Sequence, residues 1–242
     1  MKAYLAQARS EIRMSLTQGE SLLVTVGIPV LLLLGFTAVK VLPLPHGVTQ
    51  RVQFLLPGTL ALAVMATGMV AQGIATGVDR TYGVLKRLGA TPLGKSGLLA
   101  AKITAIVVVE IVQVVIMLLV GLALGWSPTG NIFLFVIALL LATVAFSGVG
   151  MLLAGTLKSE VLIGLANGIY LVLLFLGGMI FPVTSLPSFL QSVAKALPAL
   201  ASSQIFFHSL GIGGSAPGYE WVVLAVWAIG APALAIRYFK WQ

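Results

Sequence analysis

The sequence predicts an all-α integral membrane protein with six transmembrane helices and both termini in the cytoplasm. Three observations carry this prediction. The 242-residue chain is 59% hydrophobic and only 8% charged, against about 25% charged residues in a soluble domain. Six apolar runs each approach the length of about 20 helical residues that a hydrocarbon core of about 30 Å requires. The basic residues, finally, fall unevenly between those runs.

The first element precedes the spans. Residues 3–18 read as an amphipathic helix, with Leu5, Ala8, Ile12 and Leu16 at helical spacing and Arg9 and Arg13 nearby. Such a helix lies along the cytoplasmic membrane surface; a solvated tail is the alternative. No cleavable signal is expected, because charges precede the first apolar run and that run exceeds a signal core of about 7–15 residues. The spans follow at about 22–41, 54–74, 103–124, 132–152, 162–180 and 221–238. With the N-terminus inside, the inner segments hold Lys2, Arg9, Arg13, Arg80, Lys86, Arg87, Lys95, Lys102, Lys158, Arg237 and Lys240, and the outer ones only Lys40, Arg51 and Lys195. This asymmetry is the positive-inside pattern. It also explains the net charge of +8 without nucleic acid as a partner. No internal repeat or low-complexity linker divides the chain, which reads as a single transmembrane domain over 1–242.

Several chemistries are excluded. The chain has no cysteine, and its two histidines, His46 and His208, are far apart, so no zinc site is expected. No paired carboxylates and no His-based triad appear, so the chain is not read as an enzyme. One motif does suggest chemistry. Residues 89-GATPLGKS-96 match G-x-x-x-x-G-K-[ST], the loop that cradles nucleotide phosphates. A working loop of that kind follows a strand and sits in an αβ domain. Here 79-DRTYGVLKRL-88 is charged and helix-like, the helix expected to begin near Leu98 runs into a span, and Glu110 lies within that span. The match is therefore read as accidental, and no cofactor is expected in this chain.

The same segment is the longest and most basic inner connection. Val84, Leu85 and Leu88 form a short apolar face beside Arg80, Lys86 and Arg87, and Thr91-Pro92 ends the helix. It reads either as a solvated basic loop or as a docking helix that offers an apolar knob to a cytoplasmic partner. A second unusual segment lies between the last two spans, 177-GGMIFPVTSLPSFLQSVAKALPAL-200. Gly177, Gly178 and Pro182 end the fifth span. Pro187 opens a short helix with Phe189, Leu190, Val193 and Leu197 on its apolar face, and Pro198 ends it.

The stretch 79-DRTYGVLKRLGATPLGKS-96 resembles the cytoplasmic signature of ABC-2 type transporter permeases, the DrrB-like drug and antibiotic exporter subunits. That signature has a charged lead-in, then Gly-Thr-Leu, a basic pair, Leu and Ala-Thr-Pro. Gly83, Leu85, Lys86, Arg87, Leu88, Ala90, Thr91 and Pro92 match in order. Val84 stands where Thr is common and Thr81 where an acid is common, with Asp79 in the acidic role. The resemblance covers the whole chain: six spans, an amphipathic N-terminal helix, and outer helices that re-enter the outer leaflet.

The resemblance implies the membrane subunit of an ABC exporter in the plasma membrane of a bacterium or archaeon. Two permease copies, identical or related, would enclose a pathway for a drug-like, lipid or other amphipathic substrate. ATP and Mg would be bound by a separate ATP-binding subunit that docks on residues Asp79 to Pro92. The alternative is a secondary transporter or channel that works without ATP. Pathway candidates are the polar residues inside spans. Glu110 and Gln113, one turn apart, either line the cavity between copies or bond neighbouring helices, with Asn167 in the fifth span as a further polar site.

Overall fold

The computed structural model describes residues 2–17, 19–39, 50–211 and 218–241. Gln18, at the expected end of the amphipathic helix, lies outside them, as do Lys40, Val41 and His46. No strand occurs among the described residues, so the αβ core that a nucleotide loop needs is not built there. The helices are α1 (Lys2–Thr17), α2 (Gly19–Ala38), α3 (Arg51–Met65), α4 (Gln72–Thr81), α5 (Val84–Gly89), α6 (Gly94–Ala123), α7 (Ile132–Thr156), α8 (Ser159–Leu176), α9 (Ser188–Ala194), α10 (Pro198–Phe206) and α11 (Gly218–Tyr238).

Five helical stretches are long and apolar enough to cross a membrane: Arg51–Thr81, Gly94–Ala123, Ile132–Thr156, Ser159–Leu176 and Gly218–Tyr238. A sixth apolar helix, Leu23–Ala38 within α2, is shorter. The first stretch joins α3 and α4 through a π-helical turn, Ala66–Ala71. Its outer surface and those of α2, α6, α8 and α11 differ in kind: the latter expose large side chains such as Leu31, Leu119, Val172 and Ile229. Such surfaces suit hydrocarbon rather than water.

At the middle of the bundle, α7 packs against α11 on one side and against the π turn and α4 on another. Glycine makes both approaches close. A Cβ on Gly148 would lie 2.6 Å from the Pro232 ring of α11, and one on Gly150 would lie 2.6 Å from the Met69 carbonyl oxygen of the π turn. Gly164, by contrast, faces open space, and no other helix among the described residues packs on it.

The segment between α8 and α11 departs from expectation. The fifth span was expected to reach Ile180, but α8 ends at Leu176, where Gly177 and then Gly178, at φ 64°, turn the chain. A 3-10 turn at Val183–Ser185 follows Pro182, and Pro187 precedes α9. Phe189 is 74% exposed and Leu190 only partly covered, so the apolar face of α9 points away from the bundle. Pro198 ends nothing; it opens α10. That helix and the π-helical Phe207–Gly211 after it hold the buried apolar surface. Phe206 meets Phe135 edge-on at 4.9 Å, and Phe207 stacks on Phe54 at 4.8 Å. Burial is open to α10 because Ala199, Ala201, Ser202 and Ser203 are small. Both serines return their hydroxyls to backbone carbonyls, Ser202 to Ala199 at 3.1 Å and Ser203 to Gly177. Trp126 fastens the far end, its indole N–H donating to the Leu210 carbonyl at 3.0 Å.

Candidate functional site

Two sites stand out, one at the basic end of the bundle and one among the spans. At the basic end, α4 stops at Thr81 and Gly83 adopts φ 70°, a left-handed conformation that glycine enters without steric cost. The chain then re-enters α5. This helix has only six residues, so it presents one inward and one outward side. Leu85 is on the inward side and fully buried, clustered with Leu98, Leu99, Met151, Ala235 and Phe239; Leu88 packs on the same cluster. The expected apolar knob is thus an anchor that holds α5 to the chain's own body. Spacing alone could not distinguish the two, since a three-residue period shows that a face exists but not what covers it.

What remains outward is Tyr82, 76% exposed, with Lys86, Arg87, Ala90, Thr91 and Pro92. Val84 is partly covered. The Thr91 hydroxyl donates to the Leu88 carbonyl at 2.6 Å, closing the end of α5. The segment is tied to its surroundings on several sides. The Arg80 guanidinium donates to the Leu157 carbonyl at the end of α7. Ser159, at the start of α8, donates to the Gly77 carbonyl at 2.9 Å and shares a hydrogen bond of 2.6 Å with Thr81. Asp79 accepts from Lys102 of α6 at 3.0 Å. Helix α6 begins at Gly94 rather than near Leu98, so Lys95 and Ser96 occupy its first turn. They follow a helix and a short turn, not a strand.

Among the spans, Glu110 and Gln113 are both buried. Glu110 accepts a hydrogen bond from the Thr143 hydroxyl of α7, while its other oxygen has no partner among the described residues. Gln113 turns the other way, toward α2. Its amide donates to the Thr25 carbonyl at 2.6 Å. This acceptor is free because Pro29, four residues on, has no N–H to give it. Both side chains therefore bond helix to helix. Asn167 meets neither: its amide donates to the Ile163 carbonyl of its own helix at 2.8 Å.

Asn167 instead borders a cavity of about 330 Å³ between α2, α3 with its π turn, and α8. The wall is mainly apolar, from Ile28, Leu32, Leu62 and Val70, with Thr25, Thr67, Asn167 and Tyr170 as its polar points. The Thr67 hydroxyl is buried without a hydrogen-bond partner among the described residues. Of the three polar residues singled out in the spans, only Asn167 reaches this space; Gln113 sits behind its wall.

A family profile described as "ABC-2 type transporter" matches residues 5–209. The chain belongs to this family. The match runs from α1 through α10, so it includes residues 79–92, the polar residues of the spans and the buried helix before α11. A relative from Porphyra purpurea, named "Putative transport permease ycf38", is 27% identical over 154 residues, covering 62% of this ABC-2 chain and 53% of that protein. The chain thus spans about half the length of that relative. Permeases of this family are membrane transport subunits rather than enzymes, and they work with ATP-binding subunits in general.

Sequence reasoning missed Glu11 and Lys102, which join Asp79, and Pro29, which explains Gln113. Pro29 was legible as a proline inside an apolar run. Lys102 was read only as a marker of membrane side, because nothing local shows that two acids from distant segments meet it.

Proposed function

We propose that this chain is the permease subunit of an ATP-driven exporter, with six spans and both termini in the cytoplasm. ATP and Mg bind to a separate ATP-binding subunit, and an amphipathic, drug-like or lipid substrate is moved outward across the plasma membrane. The observation that carries the proposal is the arrangement of residues 79–92. The segment presents Tyr82, Lys86 and Arg87 outward while Leu85 and Arg80 root it in α6, α7 and α11. A partner that closes on this surface pulls on the bundle through rigid contacts. Such a displacement can bias a two-state arrangement of helices.

The cavity beside Asn167 supports the transport half of the proposal. Its volume and apolar wall with few polar points fit an amphipathic molecule. Helix α8, which borders it, is the least covered of the candidate spans, and Gly164 and Gly168 face open space one turn apart. A second permease copy is proposed to cover this face and complete the pathway. Gln113 is assigned to holding α2, one of the helices that frame it, against α6, and Glu110 to joining α6 to α7 behind it.

The test is co-purification with the ATP-binding subunit. Tyr82→Asp, and Lys86→Glu with Arg87→Glu, should abolish association while the permease itself stays folded. Leu85 is unsuitable for this purpose, because a charge there disrupts the chain's own packing. Normal association of both exposed-site variants would show that docking does not use this segment.

A further inference from the structure

Glu11, Asp79 and Lys102 come from three separate elements, α1, α4 and α6. The Lys102 ammonium lies 3.0 Å from Glu11 Oε1, 3.2 Å from Glu11 Oε2 and 3.0 Å from Asp79 Oδ2. It is 4% exposed, and the Glu11 and Asp79 side chains are 9% and 21% exposed. The Gln7 amide donates to Glu11 Oε1 at 2.8 Å and holds that carboxylate in place. One turn nearer the N-terminus, the Tyr4 and Thr104 hydroxyls form a second bond between α1 and α6 at 2.8 Å.

The face of α1 turned inward is therefore the polar-tipped one of Tyr4, Ala8 and Glu11, while Leu5 and Leu16 remain exposed. A helix held at a surface by apolar contact alone needs no buried carboxylate. Burying one costs several kcal/mol unless it is paired. Asp79 has the same dependence, and both acids use the same cation. Among the described residues Glu11 and Asp79 meet only through this cation, so what passes between α1 and α4 at this point passes through Lys102.

We propose that Lys102 is a positioning residue that couples the docking segment to α1, so that displacement of residues 79–92 moves the amphipathic helix at the membrane surface. This rests on the proposed function only for what displaces the segment; the tether itself is a property of the isolated chain. The physical reason is the one-to-two ratio of charges. If α4 moves away from Lys102, Glu11 must follow the cation or lose its share of it. The three elements therefore shift together rather than singly.

Two measurements test the tether. The first uses the purified chain in detergent and follows amide hydrogen exchange. Glu11→Gln should raise exchange in residues 79–92 by about threefold or more, the scale of a directly coupled contact, and leave α7, α10 and α11 unchanged. In a Lys102→Met background the same change at Glu11 should have no further effect on residues 79–92. Glu11→Asp, which keeps the charge and lengthens the pair, gives a smaller response of the same pattern and serves if Glu11→Gln does not fold. Unchanged exchange at 79–92, or a rise spread evenly over the chain, overturns the tether.

The second uses the complex with its ATP-binding subunit. Glu11→Gln and Lys102→Met should leave association and ATP hydrolysis in place while transport per ATP falls by about tenfold, and Lys102→Arg should retain transport. Undiminished transport per ATP in Glu11→Gln overturns the coupling role. If no ATP-binding subunit associates with the unaltered chain, the proposed function fails, and the exchange result still decides the tether.

Discussion

Replacing Gln113 by leucine removes the donor that satisfies the Thr25 carbonyl, and the consequence should depend on Pro29. In the native chain Pro29 offers no N–H to that carbonyl, and the Gln113 amide reaches it at 2.6 Å. A buried acceptor left unmade costs about 1–3 kcal/mol in soluble proteins, and hydrogen bonds between membrane helices average about 0.6 kcal/mol with values up to about 2. The Gln113 carbonyl oxygen is itself buried without a partner among the described residues, and leucine relieves that burden. The net loss should therefore be about 1 kcal/mol, or about fivefold in the folded-to-unfolded ratio. Pro29→Ala supplies an N–H at the helical position that serves Thr25. In that background Gln113→Leu should cost nothing or stabilise slightly. The assay is reversible unfolding in mixed detergent micelles for the four members of the cycle, with the coupling read from their differences. An equal cost of Gln113→Leu in both backgrounds would refute the account, since it would mean that the proline and the glutamine are energetically independent.

Two further outcomes follow from the packing. Gly148→Ala should destabilise by about 1–3 kcal/mol, because its Cβ would lie 2.6 Å from Pro232. Gly164→Ala, with open space around it, should change monomer stability by no more than about 0.5 kcal/mol; thermal unfolding of the two variants checks the contrast. Trp126→Phe removes the donor to the Leu210 carbonyl and should cost about 1 kcal/mol. Hydrogen exchange should then rise first in residues 207–211, where that carbonyl lies.

The residues differ in how far local pattern could place them. Apolar length announced spans at about 54–74, 103–124 and 132–152, which coincide largely with the helical stretches Arg51–Thr81, Gly94–Ala123 and Ile132–Thr156, because a helix long enough to cross hydrocarbon must carry its apolar surface in one continuous run. Gly178 and Pro187 marked real breaks, because the backbone limits that make them turn residues act within a few positions, whereas the break at Gly83 lay inside a stretch read as helix-like. Pro198 was misread as the end of one helix rather than the start of the next because α9 and α10 have similar local signals. Proline stands before or at the start of each, and both are apolar. Only the small side chains of Ala199, Ala201, Ser202 and Ser203 separate the helix that enters the bundle from the one that stays outside. Leu85 shows the same limit at the basic end, as its spacing defined a face without naming the surface that covers it. Asn167 and Gln113 looked equivalent as polar residues within spans, yet one borders a cavity and the other closes a gap left by a proline in another helix.

Composition and hydropathy were enough to establish a helical membrane protein and to locate its basic segments, since in a bilayer every backbone group must be satisfied within its own helix or barrel. That requirement acts along the chain and is written in it. The residues 79–92 could be recognised as a unit for a related reason: their glycine, basic pair and proline are contiguous. Which side of that unit faces outward was settled by packing against α6, α7 and α11. The meeting of Glu11, Asp79 and Lys102 was likewise settled only by the fold. Ion pairs and buried contacts depend on distances between segments far apart in sequence, and no period or spacing within a single segment encodes them.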